Sequence, residues 1–149
     1  MALFLVRHAK AGHRGFGPQD DQRELSPDGH SQAKALRGLL SDTPVSRLLS
    51  SPFARCRQTL EPLAESTGLA IESMAILAEA QPFEPVLALF DVLPENSVLC
   101  SHGDLIPDVM QALVRRGLVI HGQEFWNKGS VWILDRIDGA ITDARALRL

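Results

Sequence analysis

The sequence is short of cysteine, of net charge and of long apolar runs, and each shortage removes a class of protein. With only Cys56 and Cys100, a disulfide framework is not expected. Both thiols read as reduced, which makes a cytoplasmic setting the default expectation. The formal charge of -3 gives no global reason to bind nucleic acid or an anionic membrane, although a local cationic pocket stays open to it. The first apolar run, Ala2 to Val6, is far shorter than the apolar core of a secretion signal and is closed by Arg7. No later stretch approaches the length of a membrane span. The 149 residues, 45% hydrophobic and 22% charged, suffice for one well-filled core and not for two ordinary domains, so one domain over residues 1–149 is expected.

Leu3-Phe4-Leu5-Val6 has the form of a strand buried on both faces and runs into Arg7-His8. Ala9 to Leu25, rich in glycine and charge, reads as a long surface loop, which in a small domain is often functional. Ser26-Pro27 predicts a capped helix start, with Ala33, Leu36 and Leu40 on one face. Leu48-Leu49-Ser50-Ser51 predicts a second strand, Ser51-Pro52 a second cap-plus-proline start, and Pro62 a kink or a restart near Glu61. Further along come a weak strand at Ala70–Met74, a helix over Pro85–Leu93, a buried strand Val98–Cys100 and a helix from Leu105 to Arg116. Val131–Leu134 and Ala140–Leu147 flank Asp138-Gly139, a hairpin signal. The alternation predicts an α/β fold, a mostly parallel sheet with helices on both faces and a C-terminal hairpin.

Three polar motifs follow apolar strands: Arg7-His8, Ser50-Ser51-Pro52-Phe53-Ala54-Arg55 and Ser101-His102-Gly103. The carboxyl ends of parallel strands form the ligand crevice of such a sheet, so the motifs should converge there. Two arginines and two histidines suit a phosphoryl group. Arginine offers a planar fork of donors, and helix amino ends add oriented amides. Nearby cations disfavour imidazole protonation, so a histidine can stay a neutral nucleophile. His8, at the strand end, is the better candidate, and His102 would donate to a phosphate oxygen. Arg55 in a first helical turn opposes the helix dipole unless an anion binds nearby.

Taken in order, Arg7-His8-Ala9, Leu25-Ser26-Pro27-Asp28-Gly29 with Gln32-Ala33, Ser50 to Arg55 with Gln58-Thr59, and Ser101-His102-Gly103 resemble the histidine phosphatase superfamily, which is phosphoglycerate mutase-like in fold. The small size is most similar to its SixA-type phosphohistidine phosphatase branch. The resemblance implies phosphorylation and hydrolysis at His8, with Arg7, Arg55 and His102 around the phosphate. It also implies a further phosphate-binding role for Arg23 and a proton-donor role for Glu79. Arg23 has Asp20, Asp21 and Glu24 as ordinary surface partners, and Glu79 could be a solvated acid at a strand end. Two departures stand out: Ala9 follows the Arg-His pair where glycine is commonest, and Gly103 separates Asp104 from His102, which argues against a His-Asp acid donor.

Rival chemistries fail on the letters. A cysteine phosphatase needs an arginine six residues after its thiolate, where this chain has Pro62 and Ile106. Gly12 to Gly17 has P-loop glycine spacing, yet Pro18-Gln19 replaces the lysine and hydroxyl pair. A metal between His8 and His102 would face Arg7 and Arg55, so neither metal nor cofactor is expected. The expected partner is a phosphorylated protein or a small phosphorylated substrate. The alternatives are nucleotide or sugar phosphates, or a non-catalytic phosphate-binding module. Ser26, Ser51 and Asp108 are expected to act as helix-end residues, and His13, His30 and His121 as surface or loop histidines. Phe125 and Trp126 are expected in the core, with the role of Lys128 open.

Overall fold

The computed structural model describes residues 1–13 and 19–149. The chain forms β1 (Ala2–Arg7), α1 (Pro27–Leu39), β2 (Leu48–Ser50), α2 (Ala54–Thr67), β3 (Ile71–Ser73), α3 (Glu84–Val92), β4 (Val98–Ser101), α4 (Leu105–Arg115), β5 (Val119–His121), β6 (Ser130–Ile137) and β7 (Ala140–Arg148). The strands make a seven-stranded sheet in the order β3-β2-β4-β1-β6-β7-β5. Pairing is parallel from β3 through β1 and again between β7 and β5, and antiparallel on both sides of β6.

The continuous apolar run of β1 is divided by the alternation of side chains across a strand. Leu3 and Leu5 point to a core shared with Val86, Phe90, Val109 and Leu113 of α3 and α4. Phe4 and Val6 point to another, shared with Leu36, Leu60 and Leu63 of α1 and α2. Each such side chain removed from water contributes about 1.5–3 kcal/mol, so β1 is fixed from both faces. No helix among the described residues is long and apolar enough to cross a membrane.

Ser26 caps α1 as expected, its oxygen accepting from the Gly29 amide at 3.1 Å. The second start differs. The helix begins at Ala54 with Phe53 as its N-cap and no side-chain cap; Ser51 lies two residues ahead of the N-cap and accepts from the Phe53 amide at 3.2 Å. Nor does Pro62 divide the segment: α2 runs unbroken from Ala54 to Thr67. Leu60 and Leu63, both buried, hold the two sides of Pro62 against the sheet and outweigh the one backbone bond the ring removes. Gly68, at φ 75°, ends the helix in the left-handed conformation.

Among the described residues of the loop after β1 are an Ala11–Leu25 bridge and a single turn of tight helix at Asp20–Gln22. Gly15, Gly17 and Pro18 of the glycine-spaced stretch lie outside the described residues. Asp138 and Gly139 take φ values of 51° and 81°, as a two-residue hairpin turn between twisted strands requires. β5 had no sequence signal because it is three residues long, with one inward side chain between two exposed ones.

Candidate active site

In the sheet order β2-β4-β1, the carboxyl ends of three neighbouring strands come together, with Arg7 beside Ser101 and Ser50 beside Cys100. This placement brings Arg7-His8 and Gly103 to one crevice of about 1170 Å³, lined among others by Arg23, Glu79, Asp104 and Lys128, while the buried Arg55 reaches it through its contacts with Asp20 and Glu79.

His8 follows β1 and is almost fully buried. Its backbone amide donates to Ser101 O at 3.0 Å, and its Nδ1 lies 2.8 Å from Ala9 O. A carbonyl only accepts, so Nδ1 carries the proton and Nε2 keeps its lone pair. Burial lowers the pKa of His8 to about 3, and His102, Arg55 and Arg7 push in the same direction against the Ala9 hydrogen bond. The imidazole is therefore neutral at neutral pH.

The residues after His8 are held by the other resembling positions. The Ala9 amide donates to Thr59 Oγ1 at 3.0 Å, and Thr59 donates to Arg55 O at 2.7 Å. Ala9, Leu25 and Ala33 form a small apolar cluster. Gln32 accepts from the Lys10 amide and Gln58 from the Leu25 amide. At Gly29 a side chain is excluded, since a Cβ would come within 1.9 Å of Lys10 O.

Arg7 donates from Nη1 to Trp126 O at 2.8 Å. Its guanidinium lies against Gly103, where a Cβ would fall 2.5 Å from its central carbon. Arg55 has a side chain 0% exposed. It donates from Nη1 to Asp20 O at 2.8 Å and from Nη2 to Asp20 Oδ2 at 3.2 Å and Glu79 Oε1 at 2.6 Å. Arg23 joins the same carboxylate, donating to Asp20 Oδ1 at 3.1 Å and to Gly12 O at 3.0 Å. Two carboxylates thus occupy the guanidinium forks.

His102 sits edge-on to His8, with ring centroids 5.4 Å apart, and is equally buried. It does not cap α4, whose N-cap is Asp104. Its Nε2 lies 2.8 Å from Ser51 Oγ and its Nδ1 3.4 Å from Glu79 Oε1. Glu79 itself is fixed through its neighbours. Ser101 Oγ donates to Leu77 O at 2.6 Å, and the Ala80 amide donates to Asp104 Oδ2 at 2.8 Å while Ala80 holds φ 60°.

All six expected site residues, Arg7, His8, Arg23, Arg55, Glu79 and His102, are gathered here. Asp20 pairs with Arg23 as the sequence suggested, but sequence reasoning missed its bridge to Arg55 and the hold of Asp104 on Ala80. It also gave Ser51 to the helix end, whereas its hydroxyl meets His102. Only the backbone path could reveal the Trp126 carbonyl on Arg7. His13, expected as a plain loop histidine, lines the crevice, while His121 pairs with Asp143 on the surface. Phe125 and Trp126 pack partly buried against the larger core, as expected. Cys56 and Cys100 are buried free thiols, and burial pushes Cys100 well above its ordinary pKa.

Comparison with known proteins identifies the fold and the family. An 8-oxo-(d)GTP phosphatase of Mycolicibacterium smegmatis is 32% identical over 149 residues, which is 95% of this chain and 46% of that protein. The chain thus spans about half the length of that relative. The protein histidine phosphatase SixA complexed with tungstate superposes with a TM-score of 0.75 at 19% identity, covering 100% of this chain and 94% of that one. A SixA protein of Agrobacterium tumefaciens gives a TM-score of 0.74 at 24% identity, with 91% of each chain covered. These two likenesses show the phosphoglycerate mutase-like fold. A model of the histidine phosphatase superfamily (branch 1) matches residues 3–82, and the chain belongs to that family.

Proposed function

We propose that the chain hydrolyses phosphomonoesters or phosphohistidine in two steps through a phosphohistidine on His8. The observation that carries the reading is the His8 ring, whose Nδ1–H is held by Ala9 O while a neutral Nε2 stays available beside buried cations. In the first step the Nε2 lone pair forms a bond to phosphorus and the bond to the leaving oxygen breaks. That oxygen takes the proton carried in by the phosphate monoanion, relayed by Glu79 once the phosphate has displaced it from Arg55. In the second step water attacks the phosphoryl group, gives its proton to Glu79, and the P–N bond breaks. Arg7, Arg55, Arg23 and His102 hold the phosphoryl oxygens and stabilise the charge that develops on them. Asp20 and Glu79, which hold Arg55 in the free protein, yield these donors to the incoming anion.

The open crevice favours a phosphate displayed on a protein or another bulky group. A second reading, hydrolysis of a nucleotide phosphate, is favoured by the 32% identity to the 8-oxo-(d)GTP phosphatase. A panel of phosphohistidine peptide, nucleoside phosphates and sugar phosphates ranks these by kcat/KM. Turnover of an aryl phosphate should be abolished by His8→Ala. Binding of phosphate without turnover by the unaltered protein would contradict the enzymatic reading.

A further inference from the structure

His102 presents two ring nitrogens to two different surroundings, and with a single proton on the ring only one placement suits both. Ser51 Oγ lies 2.8 Å from Nε2 and accepts from the Phe53 amide at 3.2 Å. Both groups are fully enclosed, with Ser51 at 0% and His102 at 1% exposure. On the other side of the ring, Nδ1 has no hydrogen-bond partner among the described residues and lies 3.4 Å from Glu79 Oε1. A bare lone pair there would face a carboxylate, and later the oxygens of a phosphate, which is repulsive. A proton there is attractive to both. If Nδ1 carries the proton of the neutral ring, Nε2 must accept. A hydroxyl has one proton to give and lone pairs to spare.

The chain of donors is then complete: Phe53 N–H to Ser51 Oγ, Ser51 O–H to His102 Nε2, and His102 Nδ1–H towards the crevice. We infer that Ser51 is a positioning residue that fixes His102 as the Nδ1–H tautomer and so supplies its donor to the phosphoryl group. This builds on the proposed role of His102. The motif Ser51-Pro52-Phe53 thereby acquires a use: the turn ahead of α2, which gives the helix no side-chain cap, sets the Ser51 hydroxyl against the histidine. Cys56 Sγ is the competing partner of Nε2, but at 3.5 Å, and its S–H is also within reach of Ser101 O at 3.6 Å. The hydroxyl is the nearer group.

Nitrogen-15 spectra of the histidine rings at pH 8 test the inference without any substitution, the His102 signals being assigned by their loss in His102→Gln. A protonated Nδ1 and a bare Nε2 are expected. The reverse pattern, or protons on both nitrogens, overturns it. In Ser51→Ala the two tautomers should become mixed, and orthovanadate, used as the phosphoryl mimic, should bind about ten- to a hundredfold more weakly, the cost of one lost buried hydrogen bond. Cys56→Ala should leave both the tautomer and vanadate affinity unchanged. A swap there, or an unaltered tautomer in folded Ser51→Ala, assigns the ring to another group and refutes the role of Ser51. If the tautomer and vanadate affinity follow Ser51 but no phosphate is transferred to His8, the catalytic reading fails while the positioning of His102 stands.

Discussion

At His8 a single buried ring carries both a kinetic and a thermodynamic consequence. Its pKa in the folded chain is about 3 against an ordinary 6.5, so between those values the unfolded chain takes up a proton that the folded one refuses. Above pH 6.5 the ring is neutral in both states and costs nothing. As the pH falls below that, stability is lost, by at most about 1.4 kcal/mol per pH unit. Urea unfolding at pH 7.5 and 5 should therefore show His8→Asn losing about 1 to 2 kcal/mol less than the unaltered protein over that interval. An equal loss would mean that His8 titrates as an ordinary histidine. At Glu79, the choice between proton donor and anchor for Arg55 is decided by the leaving group. Glu79→Gln should slow alkyl phosphate hydrolysis by roughly a hundred- to ten-thousandfold, the range of general acid catalysis, and aryl phosphate hydrolysis much less. Equal losses on both substrates would make Glu79 an anchor.

Elements show how far local pattern reaches. The start of α1 was legible because Ser26 and Pro27 each act within a few residues, and the hairpin because Asp138-Gly139 sets its own turn. The course of α2 was not. The effect of Pro62 depends on Leu60 and Leu63 being buried under a sheet formed by distant strands, and Ser51 is claimed by a histidine 51 positions later. Pro62 remains costly even so, because it leaves a helix bond unmade. Pro62→Ala should raise stability by about 1–3 kcal/mol, read from the thermal or urea midpoint. A lower midpoint would show that the ring's packing outweighs the missing amide. The segment carrying Glu79 rests on Ala80 in a left-handed conformation, tied to Asp104. Ala80→Gly removes that strain and should stabilise by about 1 kcal/mol, whereas Asp104→Ala frees the amide and should lower kcat on alkyl phosphates more than it changes the unfolding midpoint.

Across the whole molecule, the sheet order explains why residues nearly a hundred positions apart form one site. Leu3 to Val6 reads as a doubly buried strand, and it proves to be the strand flanked by β4 and β6 with a core on either face. Its carboxyl end delivers Arg7 and His8 to the crevice, and the strand ends carrying Ser51 and His102 lie beside it. Residue types and strand ends pointed to Arg7, His8, Arg55 and His102, and the family resemblance to Arg23 and Glu79; the structure brings the six together. The contacts of Asp20 with Arg55, of Asp104 with Ala80 and of the Trp126 carbonyl with Arg7 were not legible, because they depend on the paths of loops and on a backbone group common to every residue. The central claim is that this arrangement makes His8 Nε2 a phosphate acceptor. Turnover of an aryl phosphate, quenched in base and mapped by mass spectrometry, tests it most directly. The account predicts one phosphoryl group on His8, stable in base and lost in acid as a phosphoramidate is, and absent in His8→Ala. Phosphate recovered on Ser51 or Cys100, or steady turnover in His8→Ala, would contradict it.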